Sequence, residues 1–80
     1  MSKLINVGYG NYINSNEILA VINTSSNDSK RKIKDAKDKG KLIDVTEGNK
    51  SCSAIITKTE HIFISSNRPE TLKVRFDKKK

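Results

Sequence analysis

Lys41-Leu42-Ile43-Asp44-Val45-Thr46-Glu47-Gly48-Asn49-Lys50-Ser51-Cys52-Ser53-Ala54-Ile55-Ile56-Thr57 is the stretch whose reading decides the fold. Residues 42–46 and 52–57 are rich in apolar and β-branched side chains, which suit a pleated, half-buried surface. Between them stand Gly48 and Asn49, residue types that tolerate the positive φ of a tight connection. The pattern predicts two strands joined as a hairpin. Residues 61–65 follow after Thr59-Glu60 and extend the same sheet as a third strand. Upstream, residues 30–41 carry seven cations and two anions and lead directly into the hairpin. Asn49-Lys50 at the turn therefore stands close in sequence to a strongly basic segment.

Working outward, Leu4-Ile5-Asn6-Val7 reads as a short first strand, stopped by Gly8-Tyr9-Gly10-Asn11 as a turn or bulge. This is no phosphate-cradling loop, because it has neither glycine-rich phosphate pattern and no helix follows it. Tyr12-Ile13 is a brief extended piece before the polar corner Asn14-Ser15-Asn16. Ile18-Leu19-Ala20-Val21-Ile22 is a continuous apolar run, the pattern of a strand buried on both faces. In so small a chain that implies a helix on one side and a neighbouring subunit on the other. Polar residues 23–28 offer N-caps for a helix over 28–39, which Gly40 stops. Only Ile33 and Ala36 are apolar within it, a narrow stripe that leaves most of its surface charged. Asn67-Arg68-Pro69-Glu70-Thr71 is a helix start, with Leu72 and Phe76 docking the short helix and Lys73 and Arg75 pointing elsewhere. The expected class is α+β: a small, mostly antiparallel sheet, one central basic helix and a short C-terminal helix.

At 80 residues, with 34% hydrophobic and 5% aromatic content, the chain is lean for a self-sufficient core. Cys52 has no second cysteine to bridge, and Cys52 with His61 is too small a donor set for structural zinc. Oligomerisation is the remaining remedy. A net charge of +7 points to a polyanionic partner, nucleic acid first and an anionic membrane surface second. No segment has the apolar length of a membrane span. Residues 1–7, broken by Asn6 and followed by Gly8, do not read as a signal peptide, so the expected location is cytoplasmic. His61 has no nucleophile paired with it by motif, and Asp44, Glu47 and Glu60 form no metal or acid–base pattern. The reading is therefore of a non-enzyme with no cofactor and no small-molecule substrate. Scarce aromatics argue against an RNA-stacking platform.

With these landmarks placed, the sequence resembles the bacterial RemA-like family of extracellular-matrix regulatory proteins. The resemblance is carried by Ile5-Asn6-Val7-Gly8-Tyr9-Gly10-Asn11, Asp35-Ala36, Gly40-Lys41-Leu42-Ile43-Asp44-Val45-Thr46, Glu47-Gly48 and Pro69-Glu70-Thr71-Leu72, in that order. It implies one domain over residues 1–77, followed by a basic tail, Lys78-Lys79-Lys80. It further implies a DNA-binding transcription regulator of the biofilm type, a ring-shaped homo-oligomer with DNA bent around a basic outer rim. Two departures stand out. Relatives tend to carry consecutive arginines where this chain has Asn49 and Lys50, and often an arginine at Glu17. Arginine grips phosphate bidentately and lysine only as a point charge, so individual contacts are expected to be weaker here.

The DNA-contact residues expected from both readings are Lys50 at the turn and Lys30, Arg31 and Lys34 on the basic helix. Asn49 can bond a base edge, adenine in particular, and is equally at home as a turn residue. A second reading, favoured by Asn49 and Glu17, is a ring that serves as a structural or interaction protein and has left DNA behind.

Overall fold

A computed structural model describes residues 3–77; the expected lysine tail lies outside them. The fold is α+β, built in three layers around a four-stranded sheet. In chain order the elements are β1 (Leu4–Gly8), β2 (Asn11–Asn14), a 3-10 turn (Ser15–Glu17), β3 (Ile18–Asn23), α1 (Asn27–Asp38), β4 (Leu42–Asp44), β5 (Ser53–Thr57), β6 (Ile62–Ser65) and α2 (Pro69–Asp77).

The expected hairpin is corrected by the strand order. The central sheet runs β3-β5-β6-β4, so β6 lies between the two strands that the turn joins. Thr46-Glu47-Gly48-Asn49 is still a tight turn: Asn49 N donates to Thr46 O at 3.0 Å, and both central residues have positive φ. Its chemistry is that of a hairpin turn. However, Lys50-Ser51-Cys52 carry the chain across the end of β6 before β5 begins. β6 then returns antiparallel to β5 (Ile55 opposite Phe63) and parallel to β4 (Ile43 beside Phe63). β1 and β2 form their own two-stranded sheet, with a register shift at Gly8.

Alternation along the strands sorts the core into two halves. Ile55, Val45, Ile43 and Phe63 point to the layer made by the β1–β2 hairpin and α2, where Ile5, Val7, Ile13 and Leu72 are buried. Ala54, Ile62 and Ile64 point to α1 and meet Ala36 and Ile33, the apolar stripe expected of that helix. Ser26 caps α1 by accepting from Ser29 N, and Gly40 ends it with φ +72°. That left-handed conformation is one glycine adopts without steric penalty.

Packing within the single chain differs from the expected pattern in two places. Residues 18–22 are not fully buried on both faces. β3 is an edge strand, most of it only half-buried, and Leu19 is 63% exposed. In α2, Leu72 is buried but Phe76 stays 40% exposed. The second anchor is Arg75, whose Nη1 donates to Asn6 O at 2.7 Å and Asn67 Oδ1 at 2.9 Å. A guanidinium tying β1 and the 66–68 loop to a helix replaces the apolar contact that spacing alone suggested.

Candidate nucleic-acid interface

β3, β4 and β6 all point the same way, because β3 and β6 each pair antiparallel with β5 and β4 runs parallel to β6. Their carboxyl ends and the start of β5 therefore share one end of the sheet, where Asn23 faces Ser53 and Ser53 faces Ser65. Four segments meet there: the β3–α1 loop with the first turn of α1, residues 45–52, residues 66–68, and the β1–β2 turn.

A buried polar node holds these loops together. Ser65 Oγ donates to Val7 O and accepts from Asn67 N. Ser53 Oγ donates to Asn67 O at 2.6 Å. Thr24 Oγ1 donates to Ser51 O at 3.1 Å, joining the α1 lead-in to the 45–52 loop. Ser53 and Ser65 are fully buried, and each has its partner. Gly8 sits directly over this node with φ +130°, where an added Cβ would meet Val45 O at 3.5 Å and Ser65 Oγ at 3.6 Å. Only glycine takes that backbone conformation without strain.

The 45–52 loop is braced from two sides. Asp44 Oδ1 accepts from Thr46 N at 2.8 Å and from Thr46 Oγ1 at 2.6 Å. Asn49 Nδ2 donates to Thr46 O at 3.0 Å and to the hydroxyl of Tyr9. Both amide protons of Asn49 are thus engaged, one on its own turn and one on the β1–β2 turn, which is the turn role. Tyr9 and Glu47 both sit at positive φ, at 51° and 54°. That conformation costs non-glycine residues about 1 kcal/mol or more, and here the cross-loop bonds hold it.

The Thr46 side-chain and backbone bonds hold the Asp44 carboxyl below the usual carboxylate range. Its folded-state pKa is thus lower than in the unfolded chain. The bonds contribute stability above the ordinary carboxylate range and lose it as pH falls through Asp44's own, lower titration. Asp44 is exposed, so solvent screening keeps the effect small. An NMR titration should show Asp44 and the Thr46 amide moving together below the ordinary carboxylate midpoint. Titration of Asp44 at the ordinary value would contradict the brace.

The expected contact residues fall into place unequally. Lys50 is exposed at the tip of the braced loop. Lys30 and Arg31 are exposed in the first turns of α1, at the same end of the sheet, and Lys34 lies one turn further along. The basic segment meets Lys50 through its beginning, not through its end, which runs into β4. With about 3.6 residues per turn, Lys30, Lys34 and Lys37 line one flank of α1. Asp28, Arg31, Asp35 and Asp38 line the outer ridge. Arg31 pairs with Asp28 there at 3.8 Å, an exposed contact of little energetic weight. Lys30, Lys34 and Lys50 make no ion pair among the described residues.

Sequence reasoning missed Arg68. It reads as part of a helix start, yet it is exposed on the 66–68 loop beside the other cations. Nothing short of the β5–β6 pairing could have placed it there. Glu17 lies at the opposite end: β3 begins at Ile18 opposite Thr57, and Lys58 N donates to Glu17 O at 2.8 Å. Its carboxylate is a sheet length away from Lys50 within a protomer. His61 contacts Thr59 at 2.9 Å through Nδ1, and Cys52 is half-buried. The described residues contain no cluster of three or more metal-ligating side chains and no helix long and apolar enough to cross a membrane.

Residues 4–76 match the family model described as "RemA-like: Extracellular matrix regulatory protein A-like". Three similar chains carry the name "Putative regulatory protein". That of Fervidobacterium nodosum is 46% identical over 76 residues, 95% of this chain and 82% of the relative. That of Pseudothermotoga lettingae is 45% identical over 76 residues, 95% and 84% of the two chains. That of Geobacillus thermodenitrificans is 43% identical over 72 residues, 90% and 83%.

Proposed function

The chain belongs to the RemA-like family of regulatory proteins, and from that premise we propose that it is a DNA-binding transcription regulator of the extracellular-matrix type. It acts as a ring-shaped homo-oligomer that binds and bends duplex DNA through phosphate contacts. The observation that supports this best is the gathering of Lys30, Arg31, Lys50 and Arg68, all exposed, on the first turns of α1 and two loops at one end of the sheet. These come from three segments far apart in sequence. Their loops are braced by buried hydrogen bonds, so the charges are presented from a rigid frame and little ordering entropy is lost on binding.

One protomer offers few groups able to read bases, and the amide protons of Asn49 are already engaged. Affinity therefore comes from phosphate contacts multiplied around the assembly, and specificity leans on how easily a sequence bends. The test is fluorescence anisotropy with duplexes of increasing length at fixed salt. Affinity should rise steeply once a duplex reaches a second protomer's cations. Equal affinity for short and long duplexes would remove the multivalent mechanism.

The engagement of Asn49 also favours a second reading, a ring that serves as an interaction protein without DNA. A stable oligomer with no duplex affinity even at low salt would decide for it.

A further inference from the structure

The protomer leaves an apolar groove along the free edge of the central sheet. It has a volume of 710 Å³ and lies between β3 and α2, with Ile18, Leu19, Val21, Pro69 and Phe76 among its walls. Leu19 and Phe76 are 63% and 40% exposed in it. β3 has the composition of a strand covered on both faces, yet the chain covers it only in part: Val21 and Ile22 pack on opposite faces and are half-buried, and Leu19 is exposed. It has few of the usual guards of an edge: no charge and no proline over its six residues, and only a register shift between Ile18 and Ala20. An apolar edge of this kind stays soluble only when something covers it.

A second apolar patch lies elsewhere, on the outer face of the β1–β2 hairpin. Ile5 and Ile13 face each other and turn inward to the core. By alternation the neighbouring pairs, Leu4 with Asn14 and Asn6 with Tyr12, turn outward together. Leu4 is 66% exposed and Tyr12 57%, diagonal neighbours on a face that carries no charge.

Charge decides what can cover the groove. Two copies of a +7 chain repel each other over most of their surfaces, so they can meet only where cations are absent. The hairpin face and β3 meet that condition. The groove's α2 wall carries Glu70, Lys73 and Asp77, a balance of −1, opposite in sign to the chain as a whole. Lys73 is bonded to Asp77 at 2.8 Å, while Glu70 makes no ion pair among the described residues. The wall therefore does not repel a chain that is basic overall.

We infer that the β3–α2 groove receives the outer face of the β1–β2 hairpin of a second copy of this chain, with Leu4 and Tyr12 seated against Leu19 and Phe76. This rests on the ring reading above and gives it an interface. The two patches are unlike, so the contact is head-to-tail, the kind that closes into rings and not into a two-fold dimer. The groove runs along β3 and reaches Asn23, Ser25 and Pro69 at the strand ends, so a copy seated in it borders the end bearing Lys30, Lys50 and Arg68.

The test uses the full chain and light scattering coupled to size exclusion, with circular dichroism to confirm folding. The wild type is expected as a multimer. Leu19→Glu and Tyr12→Glu, both at exposed positions, should each fall to the mass of one protomer with an unchanged spectrum. Phe76→Ser should weaken assembly from the α2 side, which separates loss of the groove from any local effect on β3. Mixed in equal amounts, Leu19→Glu and Tyr12→Glu should form a dimer and nothing larger, because one intact groove and one intact hairpin face remain between them. Single variants that keep the wild-type mass would overturn this interface and leave the ring reading standing. Monomeric single variants that form no mixed dimer would overturn the hairpin as occupant, and a Tyr12→Glu variant that still self-associates while Leu19→Glu does not would point to groove against groove. A wild type that is monomeric at all concentrations would remove the ring reading itself.

Discussion

Raising the salt from about 50 to about 200 mM is expected to weaken binding of a long duplex by about 10³- to 10⁵-fold. That is the range for a protein neutralising about 6 to 10 phosphates, each contact releasing condensed counterions. A protomer offers four exposed cations at one end of its sheet, Lys30, Arg31, Lys50 and Arg68. Arg31 is paired with Asp28 at 3.8 Å, so two adjacent protomers on one duplex supply about six unpaired cations, at the lower end of that range. The count separates two kinds of charge in this chain. The opposite end of the sheet carries Lys39, bridged to Asp35 at 3.4 Å, and Lys41, bridged to Glu60 at 4.0 Å. Such locally balanced cations release few counterions. Lys50→Ala should lower affinity for all sequences and make the log–log salt slope shallower by about one for each protomer in contact. Glu17→Lys, at the far end, should leave the slope unchanged. Anisotropy titrations at four or five salt concentrations measure both. A slope equivalent to one or two phosphates in the wild type would show that the gathered cations are only a solvated surface.

The second large effect concerns the frame behind those cations. Ile55→Ala is expected to destabilise the protein by about 2–5 kcal/mol. Ile55 is 1% exposed, and its strand lies between β3 and β6, opposite Val21 and Phe63. Its side chain fills the half of the core shared with the hairpin and α2. Both flanking strands are hydrogen-bonded to β5, so they cannot close in, and most of the removed volume stays as a cavity. Small domains are stable by only about 5–15 kcal/mol, so a loss of this size removes a large share of the total. Urea denaturation should show the midpoint falling with little change in slope. Under the ring reading, assembly adds a concentration-dependent stabilisation, so wild type and variant are compared at equal chain concentration. Leu19→Ala, also apolar but exposed, should cost a monomeric protein about 0.5 kcal/mol or less. A cost for Ile55→Ala below about 1 kcal/mol would mean that the site collapses and that β5 is not the rigid centre of the sheet.

The two results are linked by the order of the strands. The braced loop carrying Lys50 leads into β5, and Arg68 follows β6, the neighbour of β5. Loosening β5 therefore loosens the spacing among the cations. DNA affinity should fall in Ile55→Ala only under conditions where the protein begins to open.

Much of this was legible in the sequence. The extents of β1, α1 and β6 follow from local chemistry: an apolar run ended by Gly8, a serine cap with Gly40 as stop, and a β-branched run ended by Ser65-Ser66-Asn67. The buried stripe Ile33–Ala36 followed from helical spacing, and the tight turn at Glu47-Gly48 from residues that accept positive φ. These are short-range effects, decided within about a turn of helix or the width of a strand. The family, too, could be recognised from residue order alone.

Pairing was not legible. Hairpin chemistry at residues 46–49 says that the chain reverses there, but not that β6 will take the place between β4 and β5. Arg75 and Phe76 exchanged their expected roles because Asn6 and Asn67, far apart in sequence, present acceptors to the same guanidinium. Arg68 joins Lys50 and Lys30 only because three strands end together. Residues 18–22 encode a doubly covered strand, while the chain itself leaves β3 at an edge, half-buried on each face. Which residues turn inward is a property of each segment's own periodicity. Which segments lie side by side is settled by the total apolar area the whole chain can bury at once, and no single segment carries that quantity.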